Sequence, residues 1–189
     1  SSLAFLLLGL FDDLRPLKPL PKFGLQAAAA GLAVYGGNIW LFTDSAWLDY
    51  GISFLVLIFA VNAFNFTDVC DGLLSGLAII TLVCAAFLFP EKQHLALVMA
   101  AACLGFLCWN RPPATIFLGD AGSHLLAFWC VYLLIRPWSG WEGGVQNILI
   151  LGVPIFEAVF ITCVRLDKGL AWWKGSPDHF SLRLQSMGL

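Results

Sequence analysis

The chain has 189 residues, 60% of them hydrophobic and 12% charged, with a net charge of −2 at neutral pH and a mean hydropathy of +0.85. Soluble domains carry about 45–50% apolar and about 25% charged residues, so this composition excludes an ordinary water-soluble domain and points to an integral membrane protein. A net charge this small says little by itself; where the charges fall says more.

In chain order, Ser1 to Phe11 is apolar but too short to cross a bilayer, which takes about 20 helical residues. No basic n-region or cleavage site marks it as a signal peptide. A lone half-span would leave backbone groups unsatisfied in lipid, so the expectation is an internal fragment of a single membrane domain, residues 1–189, that lacks earlier helices. Apolar segments then run over roughly 23–40, 51–66, 73–89, 95–109, 121–136 and 147–164. Turn and charge signals separate them: RPLKPLPK, TDSAWLDYG, NAFNFTDVCDG, PEKQH, NRPP, RPWSGWEGG and RLDKG. The predicted fold is all-α, a polytopic transmembrane bundle of one partial and about six full helices, some borrowing flanking residues to span.

Alternating loops put residues around 12–22, 65–72, 110–120 and 165–183 on one face. That face holds Arg15, Lys18, Lys22, Arg111, Arg165, Lys168, Lys174 and Arg183, eight of the ten basic residues, and by the positive-inside rule it is cytoplasmic. Lys92 and Arg136 fall opposite, with Trp40, Trp47, Trp138 and Trp141 as an interfacial belt. Basic cytoplasmic loops are ordinary, but they do not predict that Asp12, Asp13, Asp68, Asp71, Asp120, Asp167 and Asp178 collect there too, against Asp44, Asp49, Glu91 and Glu142 opposite. Mixed charge at one membrane surface suits an anionic substrate that needs a metal. The six cysteines form no CxxC pair; five sit in apolar runs and read as small polarizable side chains, and Cys70 is the exception, inside a polar cluster.

Four polar clusters carry the candidate chemistry. Asp12 and Asp13 point about a quarter-turn apart, so each can serve a different ligand unless the pair is a solvated helix stop. Asn62, Asn65 and Asp68 repeat at helical spacing, and Asp71 continues the series unless Gly72 turns the chain. The asparagines could equally be helix-to-helix hydrogen bonders. Asp120 lies between Gly119 and Gly122 before an apolar run, where it could cap a helix or meet a phosphate or metal. His124 reads as packing. Asp178, His179 and Arg183 share the last loop with Lys174, and Glu157 is an acid inside an apolar helix after Pro154.

The stretches GLFDDLRPLKPLPKFGLQ, VNAFNFTDVCDGLLSG and LGFLCWNRPPATIFLGDAGS, then VPIFEAVF and PDHFSLRL, resemble the polyprenyl-phosphate N-acetylhexosamine-1-phosphate transferases, in family order over essentially the whole chain. The resemblance implies transfer of a sugar-1-phosphate from a UDP-sugar to polyprenyl (undecaprenyl) phosphate with release of UMP, the first membrane step of cell-envelope polysaccharide synthesis. It implies Asp12 and Asp13 as the paired acidic motif, with one of them acting on the lipid phosphate. Lys22, His179 and Arg183 become phosphate binders, with His179 also counted among the catalytic groups. Asp68, Asp71 and the surrounding Asn62 and Asn65 fall on the nucleotide-holding motif, with Asp68 catalytic. Asp120 becomes the ligand of Mg²⁺, for which Mn²⁺ could substitute, and Glu157 matches the acid after the family's Val-Pro. The implied setting is the bacterial inner membrane, multi-pass, active site facing the cytoplasm, with no nucleic-acid partner and a homodimer allowed. The chain departs from the pattern at Val69, where the family has glycine, and at Phe180, Ser181 and Leu182, where further histidines are usual. The alternatives are a transporter or flippase of lipid-linked intermediates, or an inactive homologue.

Overall fold

The computed structural model describes residues 1–37, 43, 45–134, 141–171, 173 and 175–188, and of 141–144 the backbone alone. Trp40, Asp44, Arg136, Trp138, Lys174 and the side chains of Trp141 and Glu142 therefore lie outside the described residues. The helices are α1 (Ser2–Leu14), α2 (Pro19–Tyr35), α3 (Ala46–Thr67), α4 (Leu73–Leu88), α5 (Gln93–Asn110), α6 (Gly119–Leu134), α7 (Trp141–Ile150), α8 (Gly152–Asp167) and α9 (Phe180–Ser186), with a 3₁₀ turn at Pro90–Lys92. No strand occurs among the described residues, so the all-α expectation holds. Two helical runs, Ala46–Thr67 and Pro90–Asn110, are long and apolar enough to cross a membrane, and Leu73–Leu88 is apolar but shorter.

Local sequence sets these boundaries. Pro19 opens α2, where its missing N–H costs nothing. Gly72 sits at φ 75°, the left-handed turn into α4 that favours glycine. The segment expected to be one helix over 147–164 is two. Pro154 has no N–H to offer the carbonyl of Ile150, and the chain breaks at Leu151 between α7 and α8. The polar series on α3 also ends early. The helix stops at Thr67, Asp68 is its C-cap, and Asp71 lies in the following turn, accepting from the Ala114 N–H at 2.9 Å.

α6 is the central helix, packed against α1, α3 and α4. It buries Leu126, Ala127, Phe128, Cys130, Val131 and Leu133, while Phe5 of α1 is fully buried and stacks on Phe128 at 5.5 Å. Large apolar side chains such as Phe87, Val98 and Trp47 face outward. Side-chain contacts join particular helix ends: Asp12 with Lys22, Lys22 with Asp120, Asn65 with Asp120, and Arg165 with Phe66. The C-terminal ends of α1, α3 and α8 and the N-terminal ends of α2 and α6 therefore meet at one end of the bundle. Lys92 marks the other end, where it donates to the carbonyl of Tyr132 at 3.1 Å near the C-terminus of α6.

One contact controls how closely α1 approaches α6. A Cβ at Gly9 would stand 2.3 Å from the carbonyl oxygen of Asp120 and 2.4 Å from the Cα of Ala121. Both are backbone atoms that cannot rotate away. Gly9→Ala is expected to push α1 off α6 and destabilise the protein by about 2–3 kcal/mol, read as a lower thermal midpoint in detergent. An unchanged midpoint would mean that the helices do not need this approach.

Candidate active site

The site forms where these ends meet, around the ammonium of Lys22 in the first turn of α2. Asp12 Oδ2 lies 2.9 Å from Lys22 Nζ, and the Asp120 carboxylate contacts the same nitrogen from α6. Asn65, reaching from α3, donates to Asp120 Oδ1 at 2.5 Å. Asp12 Oδ1 also accepts from the Leu17 N–H at 2.6 Å, tying the α1–α2 loop into the cluster. Four helices thus hold one group of charges.

Asp12 and Asp13 do diverge. Asp13 turns to the start of α6 and accepts from the Asp120 N–H at 2.8 Å and the Ala121 N–H at 3.0 Å. The capping role considered for Asp120 therefore belongs to Asp13, reaching across from α1, and the Asp120 side chain remains available to Lys22 and Asn65. An anionic acceptor here also meets the positive end of the helix dipole, a contribution of about 1 kcal/mol. Gly119 makes room: its φ is +61°, and a Cβ there would lie 2.7 Å from Asp13 Oδ2. The space that Gly119 leaves is taken by the Asp13 carboxylate.

Asp68 stands half-buried at the end of α3. Burial, and then the charges of Asp120 and Asp13, raise its carboxyl from 3.8 to about 6. Around the Lys22 ammonium the carboxyl groups of Asp12, Asp13, Asp68 and Asp120 outnumber the positive charge they share, the condition a further cation would relieve. Asn62 donates to Gln26 Oε1 at 3.1 Å and to the Ile58 carbonyl at 2.8 Å, so it takes the helix-to-helix role. Asp71 is exposed and holds the 110–118 loop through Ala114.

The terminal loop makes a second group. Buried Glu157 accepts from His179 Nδ1 at 2.9 Å and from the Phe180 N–H at 3.0 Å. It therefore fixes the imidazole tautomer and the start of α9 with one oxygen. Burial lowers the His179 pKa, with the Glu157 contact opposing. The ring meets Phe66 edge-on at 6.2 Å, and Arg165 lies 4.9 Å over the same Phe66. Arg183 does not join the Lys22 group. It lies 3.6 Å from Asp178 and 5.2 Å over the ring of Phe160, while Lys168 binds Asp178 at 2.6 Å. Lys168 and a Ser176 hydrogen bond hold Asp178 below its usual range.

Between the two groups lies a cavity of about 240 Å³, with Asp12, Lys22, Gln26, Asn65, Arg165 and Trp173 on its wall. Three of these were not singled out in the sequence. Gln26 had a signal, a polar residue one turn after Lys22 in an apolar run. Arg165 was counted only as a basic loop residue, and Trp173 gave no sign.

No group of three or more His, Cys, Asp or Glu side chains arranged as metal ligands occurs among the described residues. Asp12 and Asp120 nevertheless share one cation, the Lys22 ammonium. Two carboxylates and a carboxamide, with no thiolate among them, suit a hard ion that completes its shell with phosphate oxygens and water. The donor set fits magnesium or manganese.

The family model for glycosyl transferase family 4 matches residues 1–137. The chain is 31% identical, over 97% of its length and 56% of the relative's, to a probable undecaprenyl-phosphate N-acetylglucosaminyl 1-phosphate transferase of Bacillus subtilis. It is 34% identical, over 87% and 53%, to the undecaprenyl-phosphate alpha-N-acetylglucosaminyl 1-phosphate transferase of Thermotoga maritima. It is 46% identical, over 67% and 40%, to the phospho-N-acetylmuramoyl-pentapeptide-transferase of Deinococcus radiodurans. The chain spans about half the length of the curated relatives it matches.

Proposed function

The chain belongs to glycosyl transferase family 4, and from that membership we propose that it forms the core of a polytopic membrane enzyme that transfers an N-acetylhexosamine-1-phosphate from a UDP-sugar to a polyprenyl phosphate. The supporting observation is the shared grip of Asp12 and Asp120 on one cation beside a cavity at the helix ends. In the reaction, an oxygen of the lipid phosphate bonds to the sugar-bearing phosphorus, and that phosphorus parts from the oxygen that leaves with UMP. The site would lie at the cytoplasmic surface, where the prenyl tail stays in lipid and the nucleotide arrives from water.

Each residue then has a task. Lys22 binds phosphate oxygens, offsetting repulsion between two anionic substrates. Asp12 and Asp120 would hold Mg²⁺, which supplies charge neutralisation at the diphosphate when bound. Asp13 keeps the first turn of α6, and with it Asp120, in place. Asp68 is set to accept the proton of the lipid phosphate near neutral pH. His179, held by Glu157 and by a hydrogen bond to the Phe66 backbone, would contribute to phosphate binding. A transporter would instead carry charge along a mid-bundle path, whereas Glu157, set within α8, is committed to His179 and Phe180.

The test is UMP release by the full-length protein in detergent with undecaprenyl phosphate and a panel of UDP-sugars, with and without Mg²⁺. Lipid- and magnesium-dependent release supports the reading; no release by folded protein sinks it and favours an inactive homologue. Within that assay, His179→Ala and Glu157→Ala are each expected to lower turnover by about 10- to 100-fold. The double variant should fall little further, because the two side chains act as one unit. Multiplying losses would separate their roles.

A further inference from the structure

A neutral layer lies one helical turn below the charged cluster. Lys22 and Gln26 stand four residues apart on α2, and Asp120 and His124 four apart on α6, so each pair shares a helix face. Lys22 meets Asp120, and Gln26 Nε2 meets His124 Nε2 at 2.9 Å. α3 joins at both levels, through Asn65 to Asp120 at 2.5 Å and through Asn62 to Gln26 at 3.1 Å. Gln26 is 1% exposed and His124 0%.

The bonds run in one direction. Asn62 donates to Gln26 Oε1, which leaves the Gln26 amide nitrogen facing the imidazole as donor. His124 Nε2 accepts, so the ring is neutral and its proton sits on Nδ1, which donates to the backbone carbonyl of Asp120 at 2.5 Å. Removing any member strands a buried polar group, which favours one arrangement of the layer over looser ones. The layer ties the first turn of α6 to α2 and α3 directly beneath the carboxylate.

We infer that Gln26 and His124 are positioning residues that hold the Asp120 carboxylate where it shares a divalent cation with Asp12, and so set the cation affinity of the site. This rests on the metal reading above. The test is a titration of full-length protein in detergent with Mn²⁺, free ion measured by electron paramagnetic resonance. UMP release is measured in parallel for the unaltered protein, Gln26→Ala, His124→Ala and His124→Asn. Gln26→Ala and His124→Ala are expected to weaken Mn²⁺ binding at least about tenfold. His124→Asn, which keeps an N–H at the δ position, should recover part of the loss. If His124→Ala does not fold, Gln26→Ala carries the test. Unchanged affinity in folded Gln26→Ala overturns the inference while leaving the transferase reading intact. UMP release by an unaltered protein that binds no Mn²⁺ overturns both the inference and the metal assignment.

Discussion

Asp120→Asn is expected to lower turnover by about 10³-fold or more while the protein stays folded. The substitution keeps most of the local geometry. An asparagine oxygen still accepts from Asn65, Lys22 still has Asp12 at 2.9 Å, and the Asp13 cap on the backbone of α6 is untouched. The negative charge is lost together with the Oδ2 acceptor that Lys22 uses, and with them one of the two carboxylates that share a cation. The thermal midpoint in detergent should therefore stay within about 3 °C of the unaltered protein, while UMP release nearly vanishes and higher Mg²⁺ restores little of it. Turnover above about a tenth of normal would mean that Asp120 is not a metal ligand and that its part is to hold Lys22. A large fall in midpoint would instead make it structural.

Helix ends were legible in the sequence because they carry chemistry that apolar runs lack. Prolines at 19, 112 and 113, glycine at 72 and the clustered acids interrupt the hydrophobic pattern, and the structure places Asp12, Asp13, Lys22, Asn65 and Asp120 together as the loop alternation required. The division of labour between Asp13 and Asp120 was not legible. It depends on how closely α1 approaches α6, and that is set by Gly9, a residue with no side chain to draw notice. The break at Leu151 was missed for a related reason. Pro154 inside an apolar run reads as a tolerated kink until the neighbouring helices fix the path on either side.

His124 shows the limit most clearly. In an apolar run, a buried histidine reads as packing, and nothing in its own neighbourhood says otherwise. Its partner Gln26 lies 98 positions away, and only the pairing of α2 with α6 brings them to one level. Arg183 differs in another way. The resemblance implies a phosphate binder beside His179, and in the structure Arg183, on the short α9, lies against Asp178 and Phe160. Charge type can be read from sequence, but the helix face on which a charge is used depends on neighbours distant in the chain.

Asp68 links the site's electrostatics to both activity and stability. With its carboxyl raised to about 6 by burial and the charges of Asp120 and Asp13, it is a proton acceptor matched to near-neutral pH. Asp68→Asn is expected to lower turnover by about 10²- to 10⁴-fold. In the unaltered protein, turnover should rise with pH through a limb near 6, and that limb should move lower as Mg²⁺ increases, because a bound cation favours the carboxylate. The stability effect has the opposite sign. The folded pKa lies above the unfolded value, so protonated Asp68 suits the fold, and stability is lost as pH climbs through about 6. By pH 8 in the absence of divalent cation the loss is on the order of 2 kcal/mol. The inactive Asp68→Asn variant should therefore melt higher than the unaltered protein at pH 8, with the gap closing as pH falls toward 4. Equal midpoints at pH 8 together with a pH-independent rate would show that Asp68 carries no proton in the reaction. A stabilised, inactive variant would show that the fold holds Asp68 ionised at a cost because the chemistry needs it so.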